Sequence, residues 1–147
     1  MKENAFEVIK NDERFTILTK MLETSGIAES LVSEKEAFTF FAPTDEAFNI
    51  LSETALVILT SPAGAEIASS ILSQLLIPNT YLYSSDLRKK GSVRTRHGNR
   101  LKITEKANIL QLEEAHILMP GIAASNAVVF PIDKVLSPWQ KTVLRET

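Results

Sequence analysis

The residues of this chain best equipped for chemistry are seven cations, Arg88, Lys89, Lys90, Arg94, Arg96, Arg100 and Lys102, with no Asp or Glu between Arg88 and Lys102. Guanidinium and ammonium groups at such density recognise carboxylate, sulfate or phosphate. An acidic polysaccharide, an anionic lipid surface or an acidic protein patch would neutralise them. The competing reading is a solvated sheet face screened by other surface acids. A second cluster is EEAHILM, where Glu114 and His116 stand at alternate positions beside Glu113. A tetrahedral metal needs more ligands than that pair supplies, so the segment reads as a surface or rim pair and no metal is assigned. Glu113, Glu114 and His116, or the arginines, are also the groups that a small-ligand-binding or polysaccharide-processing protein would use. There is no cysteine, no G-x-S-x-G elbow and no glycine-rich phosphate loop, so neither an activated nucleophile nor a nucleotide cradle can be assigned. Asp45 and Glu46 follow Pro43 and Thr44 and suit a helix start better than acid–base catalysis. Asp133, in PIDKVLSP, reads as a structural hydrogen-bonding carboxylate. The sequence therefore names no catalytic residue and no cofactor.

Presenting the cations together requires a hairpin around Gly98. A two-residue turn at Gly98 and Asn99 would set Arg96 opposite Leu101 and mix charged with apolar residues on each face. A three-residue loop of His97, Gly98 and Asn99 instead pairs Thr95 with Leu101 and Val93 with Ile103 inside, and turns Arg94, Arg96, Arg100 and Lys102 outward. Upstream, the chain reads as mainly helical to Leu75. Phe15, Leu18, Met21 and Leu22 follow helical spacing, Gly26 supplies a stop, and Ile27, Leu31 and Val32 begin another apolar face. Leu51, Leu56, Ile58 and Leu59 suggest a short helix, and Ser61 with Pro62 starts one striped by Ile67, Ile71, Leu72 and Leu75. From Tyr81 the period changes, and strands are predicted over residues 81–83, 93–96, 100–104, 109–112, 116–118 and 127–130. Helices first and strands later predict an α+β domain with a largely antiparallel sheet system.

The 147 residues fit one domain, 1–147, with a core over about 4–139 and a tail at 140–147. A formal charge of -2 excludes the net basic field of a general nucleic-acid binder, so any anion site must be local. Charges are scattered through the first residues, and no apolar run is long enough to span a bilayer, so the chain reads as soluble. The lone Trp139 follows Pro138 and either packs back on the domain or offers a contact.

Two segments carry a resemblance to a known family. FTFFAPTDEAF, residues 38–48, passes from a strand pattern to a helix start at Pro43, with Thr44 placed to cap and Asp45 and Glu46 in the first turn. SNAVVFPIDKVLSP, residues 125–138, is its counterpart near the other end. Together they resemble the paired signature blocks of the fasciclin domain. Residues 71–87 are similar to that family's helix-to-strand passage and residues 92–103 to its glycine-containing hairpin, so the resemblance spans most of the chain. It implies N-terminal helices packed on a wedge-shaped antiparallel β-sandwich, with the two blocks as neighbouring central strands. It also implies a non-catalytic adhesion or interaction domain, extracellular, periplasmic or at a cell surface, that binds an extracellular protein or an anionic polysaccharide and no specific nucleic acid. Export, or membrane proximity through an anchor, would depend on segments outside these residues. Some animal members are associated with integrin binding through a Tyr-His pair after the long helix and an Asp-Ile motif before the second block. Here those positions carry Gln74 and Leu75, and Gly121 and Ile122. The second block's usual Asn-Gly and its following histidine are replaced by Asn126, Ala127 and Phe130. Ala127 disfavours a positive φ, so either the turn is reshaped or Asn126 takes the left-handed conformation.

Overall fold

Aromatic and β-branched side chains make the first block a strand, β1 (Phe38–Pro43), and the second another, β8 (Ala127–Ile132), each buried along its whole length. The computed structural model describes residues 3–33, 35 and 37–135. The two strands run parallel, from Phe38 opposite Ala127 to Pro43 opposite Ile132. Strands that are apolar on both faces must be covered on both. One apolar cluster does this, taking in Phe15, Leu18 and Leu22 from the helical half and Val93, Leu101 and Leu112 from the later strands. Across the central pair Phe41 stacks on Phe130, with ring centroids 5.9 Å apart.

The helical half is α1 (Ala5–Lys10), α2 (Thr16–Ser25) and α3 (Ala28–Val32) before β1, then α4 (Glu53–Leu59) and α5 (Ala65–Ser73) after it. Gly26 ends α2 with φ +83°, as its sequence position predicts, while Val32 stands exposed rather than on a buried face. Short 3-10 turns cover Glu13–Phe15, Asp45–Ile50 and Pro62–Gly64. No single described helix is long and apolar enough to cross a membrane.

Thr44 does not cap the helix it precedes. Its hydroxyl is buried and has no hydrogen-bond partner, and the following segment is a 3-10 turn. Asp45 acts across space instead: it accepts from the Ile17 amide at 2.8 Å and from the Thr16 hydroxyl at 2.6 Å. No side chain of its own segment caps α2, so a carboxylate from the first block satisfies its first turn.

The first sheet has the order β2-β1-β8-β7, with β2 (Leu76–Pro78) and β7 (Ile122–Ala123) antiparallel on its flanks. The strand predicted at 81–83 does not form. Asn79 takes φ +64° and turns the chain out of the sheet, the Leu82 amide donates to the buried Thr39 hydroxyl at 2.8 Å, and Ser84–Lys90 then winds into α6. The second sheet is an antiparallel meander, β3 (Ser92–Arg94), β4 (Arg100–Lys106), β5 (Ile109–Leu112) and β6 (Ala115–His116). Two corners tie the sheets together. At one, Leu118 N donates to Pro131 O at 2.7 Å and Ile117 bridges Ile132; at the other, Arg96 N donates to Leu76 O at 2.7 Å. The result is the α+β sandwich that the resemblance implies, with its central pair parallel.

Asn126 is a buried clamp. Its side chain accepts from Ala5 N at 2.9 Å and donates to Leu31 O at 2.7 Å and Ser33 O at 2.8 Å, which joins α1 and α3 to the start of β8. Neither Asn126 nor Ala127 has a positive φ, so the turn is the reshaped one, with Ala127 already inside the strand. Residues 136–147, including Trp139 and the expected tail, lie outside the described residues.

Candidate interaction surface

The β3–β4 hairpin has a three-residue loop, one position earlier than predicted. Thr95 N donates to Asn99 O at 2.9 Å and Gly98 N to Thr95 O at 2.9 Å, so the loop is Arg96, His97 and Gly98. Gly98 takes φ +105° at the last loop position, where a left-handed residue is required and glycine meets no steric cost. The register therefore slides by two residues. Val93 pairs with Leu101 rather than Ile103, and Thr95 faces Asn99 rather than Leu101. A slide of two preserves the faces: Val93, Leu101 and Ile103 stay buried, while Arg94, Arg100 and Lys102 stay exposed outside.

The seven cations divide into three groups. Arg94 and Arg100 stand directly opposite each other, with Ser92 opposite Lys102 beside them. The Arg94–Arg100 rung falls between the bonded rungs, so its side chains are in the closer of the two antiparallel spacings. Among the described residues, neither arginine nor the Lys102 ammonium has an ion-pair partner. Arg88, Lys89 and Lys90 form the last turn of α6, where positive charge complements the helix end, and Gly91 closes it with φ +72°. Arg88 pairs with Glu105, which shares the strand side of the inward residues Leu101 and Ile103, so Arg88 does not extend the outer face. Arg96 also leaves that face: its guanidinium donates to the Ser30 hydroxyl at 2.7 Å across the domain.

The acids and the histidine of EEAHILM do not converge on a metal site. Glu113, in a turn with φ +54°, accepts the Lys102 amide through its carboxylate and donates its own amide to Lys102 O at 2.8 Å. His116 places Nδ1 2.8 Å from one Asp133 oxygen and donates its backbone amide to the other at 2.7 Å. Asp133 is thus the structural carboxylate that its sequence position suggests. Among the described residues no three His, Asp or Glu side chains cluster as a metal site. Glu114 is half-buried in the same turn, and His97 is exposed at the hairpin tip.

Gln74, Leu75, Gly121 and Ile122 are built into the scaffold. Leu75 is fully buried, Gln74 caps the end of α5, and Ile122 lies half-buried on β7. Gly121 and Phe130 fit each other: a Cβ at residue 121 would lie 2.6 Å from Phe130 Cε1. The apolar stripe of α5 was legible as helical periodicity, but this steric coupling and the Asp45 cap of α2 join residues distant in sequence and left no local signal.

A helical layer, two sheets tied at their corners with a parallel pair at the centre of the first, and polar side chains largely engaged in the scaffold define an α+β module with a charged outer sheet face. The chain belongs to the fasciclin-domain family, whose profile matches residues 13–138. It is 29% identical over 132 residues to rabbit transforming growth factor-beta-induced protein ig-h3, an alignment covering 90% of this chain and 19% of that protein. It is 27% identical to protein sll1483 of Synechocystis sp., over 90% of this chain and 72% of that protein, and 25% identical to human periostin, over 90% of this chain and 16% of that protein. The chain thus spans only a fraction of the animal relatives. Its fold superposes with a TM-score of 0.81 on the FAS1 domain pair of the insect cell adhesion molecule Fasciclin I, at 18% identity, covering 91% of this chain and 50% of that one.

Proposed function

We propose that this chain is a non-catalytic interaction domain of an extracellular or cell-surface protein, and that it binds an anionic partner through the outer face of its second sheet. The observation that carries this reading is the Arg94–Arg100 rung. Two guanidinium groups directly opposite on a sheet repel, and no described carboxylate relieves them. A partner that brings carboxylate or sulfate groups to Arg94, Arg100 and Lys102 removes that repulsion and gains charge-assisted hydrogen bonds. Kinship with proteins such as periostin, and the fold shared with a cell adhesion molecule, support an adhesive role and an extracellular setting. The engagement of Glu113 and His116 by backbone and by Asp133 weighs against the polysaccharide-processing alternative.

The test is retention on immobilised acidic polysaccharides and on acidic matrix proteins across a salt series, comparing the native chain with the triple variant Arg94→Gln, Arg100→Gln, Lys102→Gln. Retention on one of these supports should fall as salt rises, because exposed charges are screened over about 8–10 Å near physiological ionic strength. It should be lost in the triple variant. Unchanged retention of that variant would sink the proposal.

A further inference from the structure

A cleft of about 300 Å³ lies at the far end of β4 from the Arg94–Arg100 rung, where the β4–β5 turn meets the chain leaving β6. Its volume is at the lower edge of the range for small-molecule pockets, roughly 300–1,000 Å³. Its lining is mainly apolar. Leu110 and Ile117 are buried, while Ile109 and Met119 stand 47% and 44% exposed. An apolar occupant would cover surface that these two leave in water. The walls are set before any ligand arrives. Ala107 and Asn108 both take positive φ, 52° and 66°, in the tight turn that fixes Ile109 opposite Lys106. Ile117 N donates to Leu110 O at 2.8 Å and Leu118 N to Pro131 O at 2.7 Å.

Arg88 and His116 also line the cleft, and each is already matched to a carboxylate. Arg88 pairs with Glu105. Asp133 accepts the His116 backbone amide on one oxygen and holds the other 2.8 Å from Nδ1. A carboxylate only accepts, so the proton of the neutral ring sits on Nδ1 and Nε2 is left as an acceptor. Asp133 is outside the cleft's described lining, which leaves the Nε2 edge of the ring to face the cleft. An anionic head would meet the Nε2 lone pair with two carboxylates close behind. A hydroxyl would instead donate to Nε2. We infer that the cleft binds a neutral, medium-chain aliphatic alcohol, its chain against Ile109, Ile117 and Met119 and its hydroxyl donating to His116 Nε2. This inference rests on the cleft alone and not on the Arg94–Arg100 face.

Methyl and amide chemical-shift titration at pH 8 with 1-octanol, octanoate and 1-methoxyheptane tests it. The ether has the same heavy atoms as octanol but no hydrogen to donate. Octanol should give saturable shifts centred on Ile109, Ile117 and Met119, and should bind about three- to tenfold tighter than the ether, the worth of one hydrogen bond. Octanoate should bind more weakly than octanol. His116→Phe keeps a flat ring and removes the acceptor, so octanol and the ether should then bind alike. Ile109→Thr keeps a β-branched residue at an exposed strand position and should weaken octanol and the ether severalfold alike; it is the deciding variant if His116→Phe melts early. No saturable shifts, shifts centred elsewhere, octanoate or the ether binding as tightly as octanol, an octanol preference that persists in His116→Phe, or native affinity in Ile109→Thr would each overturn the assignment.

Discussion

Thr44 sits at the turn of the first signature block with a buried hydroxyl and no partner. An unsatisfied buried hydroxyl costs about 1–3 kcal/mol, and its replacement by an apolar group of the same shape removes that cost. Thr44→Val should therefore stabilise the domain by about 1 kcal/mol, read as a rise in melting temperature of about 2–4 °C for a chain of this size. A fall in melting temperature would mean that the hydroxyl has a role the geometry does not reveal. Asp12 is the opposite case. It accepts from the Arg14 amide at 2.9 Å and from the Arg14 guanidinium at 3.1 and 2.9 Å. The side-chain hydrogen bond from Arg14 outweighs partial burial and holds the Asp12 carboxyl below the usual aspartate range. With the folded value below the unfolded one, the stabilisation is complete above the ordinary pKa of about 3.9 and is lost as pH falls through the lower folded value. Asp12→Asn keeps the cap acceptor and loses only the charge facing the exposed Arg14, so it should cost about 0.5 kcal/mol or less at neutral pH. Urea unfolding across pH should show the difference between native and variant shrinking below about pH 4. A constant difference would assign the effect to something other than the charge.

The two signature strands were legible because their aromatic and β-branched composition marks them locally, and the structure sets them side by side. Elements with weaker patterning were not. In α6 only Leu87 is buried, so its seven residues present no apolar stripe, and the neighbouring Tyr81 and Leu82 imitate strand alternation while Leu82 is tied to Thr39. The hairpin's loop length and its faces could be read from alternation, but the loop's position depended on which residue takes the left-handed conformation, and that residue is Gly98. Arg96 changed sides for that reason. The contact between Gly121 and Phe130 makes a further prediction about how β7 and β8 are joined. Gly121→Ala should cost about 2 kcal/mol in urea unfolding through overpacking against the ring. In a Phe130→Leu background, where that ring is gone, the same substitution should cost under about 0.5 kcal/mol, a coupling of the size found for residues in contact. Equal costs in both backgrounds would show that the two positions are independent.

Across the molecule, the buried Thr39 and Asn126 and the half-buried Asp45 tie helices and sheets together, and a cluster of like-charged cations lies outside on the second sheet. The net charge of -2 makes that local concentration of cations a departure from the rest of the chain. A scaffold with like charges clustered on one sheet face is suited to reversible, salt-sensitive association, in which a few anchors carry most of the affinity. Amide chemical-shift mapping with a heparin oligosaccharide reports where such an association occurs. The largest perturbations should fall on Arg94, Arg100 and Lys102, shrink as salt is raised, and vanish in the triple glutamine variant. Perturbations concentrated on the helical layer, or none along β3 and β4, would contradict the assignment of this face.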